Sequence, residues 1–345
     1  MNKIAFSEPF RGMLQKIGLD EENTRAILQN WKFSVETLEQ LQKMVIDRFK
    51  DKESNDNICV IVVGSFGRLE ASNCSDLDYL VIYGGDEREH NSFRSFDDEI
   101  SKILEKIGIQ KPSGTGKTFL SPASINQLTT NIGGNKDKTQ HLTWRVLMLT
   151  ESRCLYNETL YYQILSDIFN HYTKTAKEKG GYPRALINEL IRYYRTVAVD
   201  YLYKVEEINK PWALRNLKLR HSRKFWFFST IALILHRFEK PENVVYESLL
   251  EEMRLPPVEK LATILLEKDR KDIINPFVLY NKFLGKINDS EIRERLNAID
   301  YDARYENKIF SEIKENSDVF HEELIKNFNE FKQNWDEMIY DLLIL

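Results

Sequence analysis

GSFGRLEASNCSDLD, residues 64–78, lies between two apolar runs at 58–63 and 79–83. This pattern predicts a buried strand, a glycine turn, and a second buried strand that two acids precede. Because alternate residues of a strand point to the same face, Asp76 and Asp78 should project side by side. Two carboxylates this close repel each other unless a cation neutralises them. Mg²⁺ is the expected ion, since it binds carboxylate oxygens together with substrate phosphates, and Mn²⁺ is an alternative.

The glycine turn predicts a phosphate-binding loop. Gly64 and Gly67 allow backbone conformations that a Cβ would exclude, and they let a ligand approach closely. Backbone N–H groups in this turn, together with the Ser65 hydroxyl, could cradle a phosphate, especially if a short helix begins here. Metal-binding acids beside such a turn indicate a site for nucleotidyl transfer from a nucleoside triphosphate.

The pattern G-S-x-G-R-x-E followed by S-D-x-D resembles the nucleotidyltransferase superfamily of DNA polymerase beta. It is most similar to the bacterial branch near the uridylyltransferases that modify the PII nitrogen-regulatory protein. The likeness covers roughly residues 55–157 and extends more weakly into 193–201 and 214–220.

The resemblance implies that Gly64 and Ser65 hold the triphosphate. It implies that Asp76 and Asp78 bind metal, with two Mg²⁺ ions about 4 Å apart. It also suggests that Arg68 braces the turn together with Glu70, and we count Arg68 among the candidate nucleotide-binding residues.

The superfamily pattern includes a third acid, for which this sequence shows no clear candidate. Most enzymes of the superfamily take it from a neighbouring strand, but the short strand expected at 117–120 carries no carboxylate. Asp137, which follows a glycine pair, is the first candidate for this catalytic role, and Glu151 and Asp98 are the alternatives. Each of the three is also compatible with a solvated or helix-capping role.

A second glycine-rich stretch, SGTGKT at 113–118, is not a complete P-loop. The P-loop pattern requires glycine at position 111, where this chain has lysine. We therefore expect only a glycine-rich loop, which could still lie over the nucleotide.

Two cationic stripes, within 188–195 and 215–222, supply further candidate phosphate contacts. Arg195 and Lys218 are the residues expected to bind the β- and γ-phosphates across a cleft, because phosphoryl-type transfer depends on neutralising charge. In the alternative interpretation the stripes form a solvated face whose cations pair with neighbouring glutamates.

The composition is that of a folded globular protein. The chain has 345 residues, of which 42% are hydrophobic and 30% charged, and its net charge of -4 argues weakly against a long nucleic-acid acceptor. Its three cysteines form no C-x-x-C pair, so neither a disulfide framework nor a zinc site is indicated.

The most apolar run, 225–235, is shorter than the ~20 residues that a membrane span needs and predicts a buried helix. With no signal-peptide pattern at residues 1–6, we expect a cytoplasmic protein without membrane association.

The order of strand and helix patterns predicts an α+β fold in three parts. These are an N-terminal helical arm (1–50), a nucleotidyltransferase domain with a small mixed sheet (51–157), and an all-helical domain (158–345). Within the middle part, helices are expected at 96–107, from Pro122 onward and at 139–150, and an edge strand at 153–156.

The predicted activity is Mg²⁺-dependent transfer of a nucleoside monophosphate to an acceptor hydroxyl, with release of pyrophosphate. ATP is among the candidate donors. The acceptor stays open between a protein side chain, slightly favoured, and a small molecule, a second nucleotide or an RNA 3′ end. The alternatives are a non-catalytic nucleotide-sensing or partner-binding module, of the toxin–antitoxin or defence type, and a signalling-nucleotide synthase. An oligomer is compatible with the sequence.

Overall fold

The computed structural model of the chain describes residues 9–49, 57–84, 90–110, 122–206, 211–302, 304 and 306–331. The glycine-rich stretch at 113–118 and the strand expected at 117–120 lie outside the described residues. The described residues are mostly helical and include a small mixed sheet of four strands, so the predicted α+β class is confirmed.

The described residues form two compact units. One runs from Asn30 to Lys179, and the other combines residues 9–29 with those from Gly180 onward. The domain boundaries expected after residues 50 and 157 stay predictions. In chain order the labelled elements are α1 (Pro9–Lys16), α2 (Arg25–Phe49), β1 (Ile58–Val62), α3 (Gly64–Gly67), β2 (Tyr79–Tyr83), α4 (His90–Ile107), β3 (Ala123–Ser124), α5 (Ile125–Thr129), α6 (Thr139–Glu151), β4 (Arg153–Tyr156), α7 (Glu158–Lys179), α8 (Arg184–Glu206), α9 (Ala213–Lys218), α10 (Lys224–Arg237), α11 (Tyr246–Met253), α12 (Pro257–Glu267), α13 (Asn275–Ile287), α14 (Ser290–Asn297) and α15 (Lys308–Phe331).

The sheet of the first unit holds both ends of the motif together. Its strand order is β3-β2-β1-β4, with β1 antiparallel to β2 and β4, and β2 parallel to β3. Every residue of β1 and β2 is buried, which explains their continuous apolar sequences. Val62 pairs with Tyr79, and the Val63 amide donates to the Asp78 carbonyl at 2.9 Å. The glycine turn and the two acids therefore lie at the same end of neighbouring strands.

Helices complete this unit. Helix α6 buries ten of its 13 residues, α7 packs on β1 and β4, and α4 packs on β2. The helices expected at 96–107 and 139–150 and the edge strand at 153–156 are confirmed. The helix expected from Pro122 is wrong at its start, because Ala123 and Ser124 pair with β2. Helix α5 begins only at Ile125, where the Ser124 amide donates to Gln127 Oε1 at 3.1 Å in a capping box.

The elements of the second unit, among its described residues, are helices joined by turns and loops. The apolar run at 225–235 lies in α10, which buries ten of its 14 residues, so the predicted buried helix is confirmed. A π-helical turn at Leu219–Arg223 precedes α10 and breaks the regular helical spacing. Within this turn Ser222 is buried and accepts a hydrogen bond from the Tyr280 hydroxyl at 3.0 Å, while Lys218, just before the turn, is half-buried. Among the described helices, none combines the length and apolar character needed to cross a membrane.

Candidate functional site

The segment between β1 and β2 buries most of its side chains but not those of the candidate site. From Ile58 to Tyr83, partial or full exposure is confined to Ser65, Asn73, Cys74, Asp76 and Asp78. The neighbours Ser75, Leu77 and Tyr79 are buried, so exposure alternates along the chain at the two acids. Such alternation is expected of an extended chain whose alternate side chains share a face. The two carboxylates therefore project from one side of the segment toward solvent.

Gly64 brings the turn directly against one of these acids. It begins the four-residue helix α3 with a φ of +70°, a conformation that L side chains rarely adopt. A Cβ added to Gly64 would lie 3.0 Å from Asp78 Oδ2. The left-handed backbone therefore favours glycine here, and a Cβ would also push the Asp78 carboxylate away from the turn.

Gly67 allows a still closer approach, in this case of the backbone of α6 to the turn. A Cβ at this position would lie 1.9 Å from the Glu151 carbonyl oxygen, at the C-terminal end of α6. Next to it, the buried Arg68 side chain donates from Nε to Glu70 Oε2 at 2.8 Å and from Nη1 to Glu151 Oε2. The Glu70 amide in turn donates to the Ser65 carbonyl at 2.8 Å. Arg68 is thus directed at two buried carboxylates, an arrangement that fixes the turn to α6.

The first acid of the pair has a neighbour from beyond α4. Asp76 forms an isolated parallel β-bridge with Gln110, and the Leu77 amide donates to the Gln110 carbonyl at 3.0 Å. Gln110 is exposed, whereas Leu77 is fully buried. Through this bridge, the segment that follows α4 pairs with the extended chain that carries the two acids.

Asp137, the first candidate for a third acid, lies in an ion pair with Arg145. The Arg145 guanidinium binds it in a bidentate manner at 2.9 and 2.7 Å, and the Gly133 amide donates to it at 2.8 Å. Arg145 is fully buried and also donates to the Tyr172 hydroxyl at 2.7 Å. Burial acts to raise the pKa of Asp137, but the hydrogen bonds from Arg145 and Gly133 together lower it below its ordinary value.

The other predicted site residues are dispersed. Glu151 is fully buried with Arg68, and Asp98 is exposed on α4. Arg195 is exposed on α8 and Lys218 ends α9, and both belong to the second unit, so their role in nucleotide binding stays a prediction. Among the described residues, no three His, Cys, Asp or Glu side chains are grouped to hold a metal ion. Asp137 accordingly does not join Asp76 and Asp78 in such a group.

The residues at the turn fit a divalent cation. Two half-buried carboxylates supply the oxygen ligands that Mg²⁺ and Mn²⁺ prefer. The missing Cβ of Gly64 leaves room beside Asp78 Oδ2. A phosphate at the turn would therefore lie next to a cation at the acids.

Two partners at this site have no local sequence signal. Glu151 binds Arg68 from 83 residues away, and Gln110 reaches Asp76 from beyond α4. Both pairs are farther apart in sequence than any single strand or helix is long, so only the strand pairing and helix packing of the fold bring these residues together.

One comparison with known proteins matches the region of the motif. Residues 10–117 match the family described as "Putative nucleotidyltransferase DUF294". The match is consistent with the nucleotidyltransferase superfamily and supports a nucleotidyl-transfer role for this chain. No curated protein matches the chain.

Proposed function

We propose that the protein is a divalent-metal-dependent nucleotidyltransferase, which moves a nucleoside monophosphate from a nucleoside triphosphate to an acceptor hydroxyl. The contact between the glycine turn and the acid pair carries this proposal. With Asp78 Oδ2 only 3.0 Å from the position of a Gly64 Cβ, a phosphate on the turn and a cation on the acids would be neighbours. The family match to residues 10–117 supports the same chemistry.

Each residue has a distinct role in this proposal. Asp76 and Asp78 would hold Mg²⁺, which when bound neutralises phosphate charge and orients the reacting oxygens. The Ser65 hydroxyl and the Gly64 amide would donate hydrogen bonds to phosphate oxygens. As the acceptor oxygen forms its bond to the α-phosphorus, its hydroxyl proton would pass to solvent water, the bond from that phosphorus to the bridging oxygen would break, and pyrophosphate would leave. Arg68 supports the turn through Glu70 and Glu151.

The test uses the full chain with each of the four α-³²P-labelled nucleoside triphosphates and Mg²⁺, with and without cell extract. We expect label to enter a protein, an RNA or a small product, and we take a protein hydroxyl and ATP as the first pair to examine. Asp76→Asn and Asp78→Asn should each abolish the labelling without unfolding the protein, because both side chains are half-buried.

Wild-type labelling by either variant would contradict the proposal. Triphosphate binding without release of pyrophosphate under any condition would instead identify a nucleotide-sensing module.

A further inference from the structure

Gln110, in the segment that pairs with the acid pair, places one more polar side chain on the face that carries Asp76 and Asp78. Residues that pair on neighbouring strands carry their side chains on the same side of the sheet. Asp76 pairs with Gln110 in a parallel bridge, and the intervening amide of Leu77 donates to the Gln110 carbonyl at 3.0 Å. Since Asp78 is two residues from Asp76, all three side chains belong to one face.

Burial agrees with this placement. Leu77, between the acids, is fully buried, while Asp76 and Asp78 are half-buried and Gln110 is exposed. The carboxamide of Gln110 is therefore available on the solvent side, where the two carboxylates also project. Its distance along the chain from the motif, beyond α4, hides this proximity from any local sequence pattern.

We propose that Gln110 contributes its side-chain amide oxygen to the cation that Asp76 and Asp78 bind, an inference that rests on the proposed function. Amide carbonyl oxygens are ordinary ligands of hard divalent cations. Because the Gln110 amide is neutral, the three protein ligands carry two negative charges in total, whereas three carboxylates would carry three. Because affinity follows the charge of the ligands, the site binds a divalent cation weakly on its own and relies on the phosphates of the nucleotide to complete it.

The experiment is a titration of the full chain with Mn²⁺ in the absence of nucleotide. The electron paramagnetic resonance signal of free Mn²⁺ measures how much of the ion is bound. Gln110→Ala should weaken binding about 10- to 100-fold, the range typical of losing a supporting group at a metal site. Gln110→Glu should tighten it by about tenfold or more, because it adds a third carboxylate. The readout is metal binding, so it does not depend on finding the acceptor.

Exposed Gln163 on α7 of the same unit provides the matched control. Gln163→Ala and Gln163→Glu make the same chemical changes and should leave the Mn²⁺ affinity as in the wild type. Gln110 variants that behave like the Gln163 variants, while Asp76→Asn loses Mn²⁺, would overturn the role of Gln110 and leave the proposed function standing. Mn²⁺ binding that is unaffected by Asp76→Asn would overturn the acid pair itself.

Discussion

At the scale of single residues, Gly64 links the backbone conformation of the turn to the position of one acid. Its φ of +70° disfavours any L side chain, and a Cβ would in addition press on Asp78 Oδ2 at 3.0 Å. We expect Gly64→Ala to lower the free energy of unfolding by about 1–2 kcal/mol through its left-handed backbone. It should also displace the Asp78 carboxylate and impair Mn²⁺ binding. Urea unfolding and the Mn²⁺ titration measure the two effects.

Gly180→Ala separates these effects. Gly180 has a φ of +74°, but no atom lies within 4 Å of where its Cβ would be. This variant should lose a similar free energy of unfolding and keep the Mn²⁺ affinity of the wild type. Equal Mn²⁺ binding by both glycine variants would show that Gly64 does not position the acid.

Ser65 tests the phosphate side of the site independently of the metal side. Its half-buried side chain lies in the turn and not among the acids. Ser65→Ala should weaken the binding of a non-hydrolysable triphosphate by about 1.5–3 kcal/mol, because one hydrogen bond to a charged group is lost. This loss corresponds to an affinity about ten- to a hundredfold lower. Its Mn²⁺ affinity without nucleotide should be unchanged. Isothermal titration with the triphosphate analogue gives the answer, and an undiminished affinity would exclude Ser65 from the phosphate contacts.

At the scale of elements, the stability of the turn depends on its attachment to α6. Arg68 lies between two buried carboxylates, so Arg68→Ala leaves both Glu70 and Glu151 without their shared cation. Removing one partner of a buried ion pair typically lowers stability by about 3–5 kcal/mol. We expect a loss of this size for Arg68→Ala, and a smaller one for Glu151→Gln, since the cation then keeps Glu70. Urea unfolding measures both.

Lys102→Ala is the control for this comparison. Lys102 pairs with Glu99 at 3.0 Å on α4 of the same unit, but its side chain is 68% exposed. Exposed pairs contribute about 0–1 kcal/mol, so this variant should unfold nearly as the wild type does. If Arg68→Ala is no more destabilising than Lys102→Ala, the attachment to α6 has no structural importance.

The elements around the motif could be predicted from sequence because their signals are local. Continuous apolar runs bounded by Gly64 and the acids mark β1 and β2, which end within two residues of the predicted limits. Pro122 indicated a helix start, but pairing of Ala123 and Ser124 with β2 prevails over that preference. Such competition between a local preference and strand pairing is decided only in the folded chain.

The candidate site was predictable only in part, for the same reason. The motif itself indicated Asp76 and Asp78, whereas Asp137 was selected because it follows a glycine pair. In the structure its partner is Arg145, and because Asp137 lies in the loop before α6, helix periodicity does not predict this pairing. The Arg68–Glu151 pair and the Asp76–Gln110 bridge depend on tertiary packing and are invisible before it is known.

At the scale of the whole molecule, the core of the second unit carries an acid-sensitive group. His221 is fully buried in the π-helical turn and stacks on Phe283 with ring centroids 3.9 Å apart. Its Nδ1 lies 2.9 Å from the Leu217 carbonyl, and its Nε2 lies 3.0 Å from Asn316 Nδ2. A neutral ring that donates from Nδ1 and accepts at Nε2 satisfies both contacts, whereas a protonated ring would direct a second donor at the Asn316 amide.

These surroundings make folding of this unit pH-dependent. Burial lowers the pKa of His221 to about 3. The positive charges of nearby Lys224 and Arg220 also lower this pKa, whereas the hydrogen bond to the Leu217 carbonyl acts to raise it. Below a pH of about 6.5 the unfolded chain binds a proton at this histidine that the folded protein does not. The free energy of unfolding should therefore fall as the pH drops from about 6.5 to 3, by up to about 1.4 kcal/mol per pH unit.

His221→Phe should remove this dependence, because phenylalanine can stack on Phe283 but cannot titrate. We expect the variant to be less stable than the wild type at pH 7, since the Leu217 carbonyl and the Asn316 amide each lose their hydrogen bond to the ring, although the Asn316 amide keeps its bond to the Leu279 carbonyl. It should also lose less stability on acidification to pH 4. Ser222→Ala, in the same π-helical turn, removes a hydrogen bond to Tyr280 without removing a titratable group. It should be destabilised by about 1 kcal/mol at pH 7 and then follow the slope of the wild type. Urea unfolding of the three proteins at pH 7, 5.5 and 4 measures the slopes, and parallel slopes for His221→Phe and Ser222→Ala would assign the acid sensitivity to other groups.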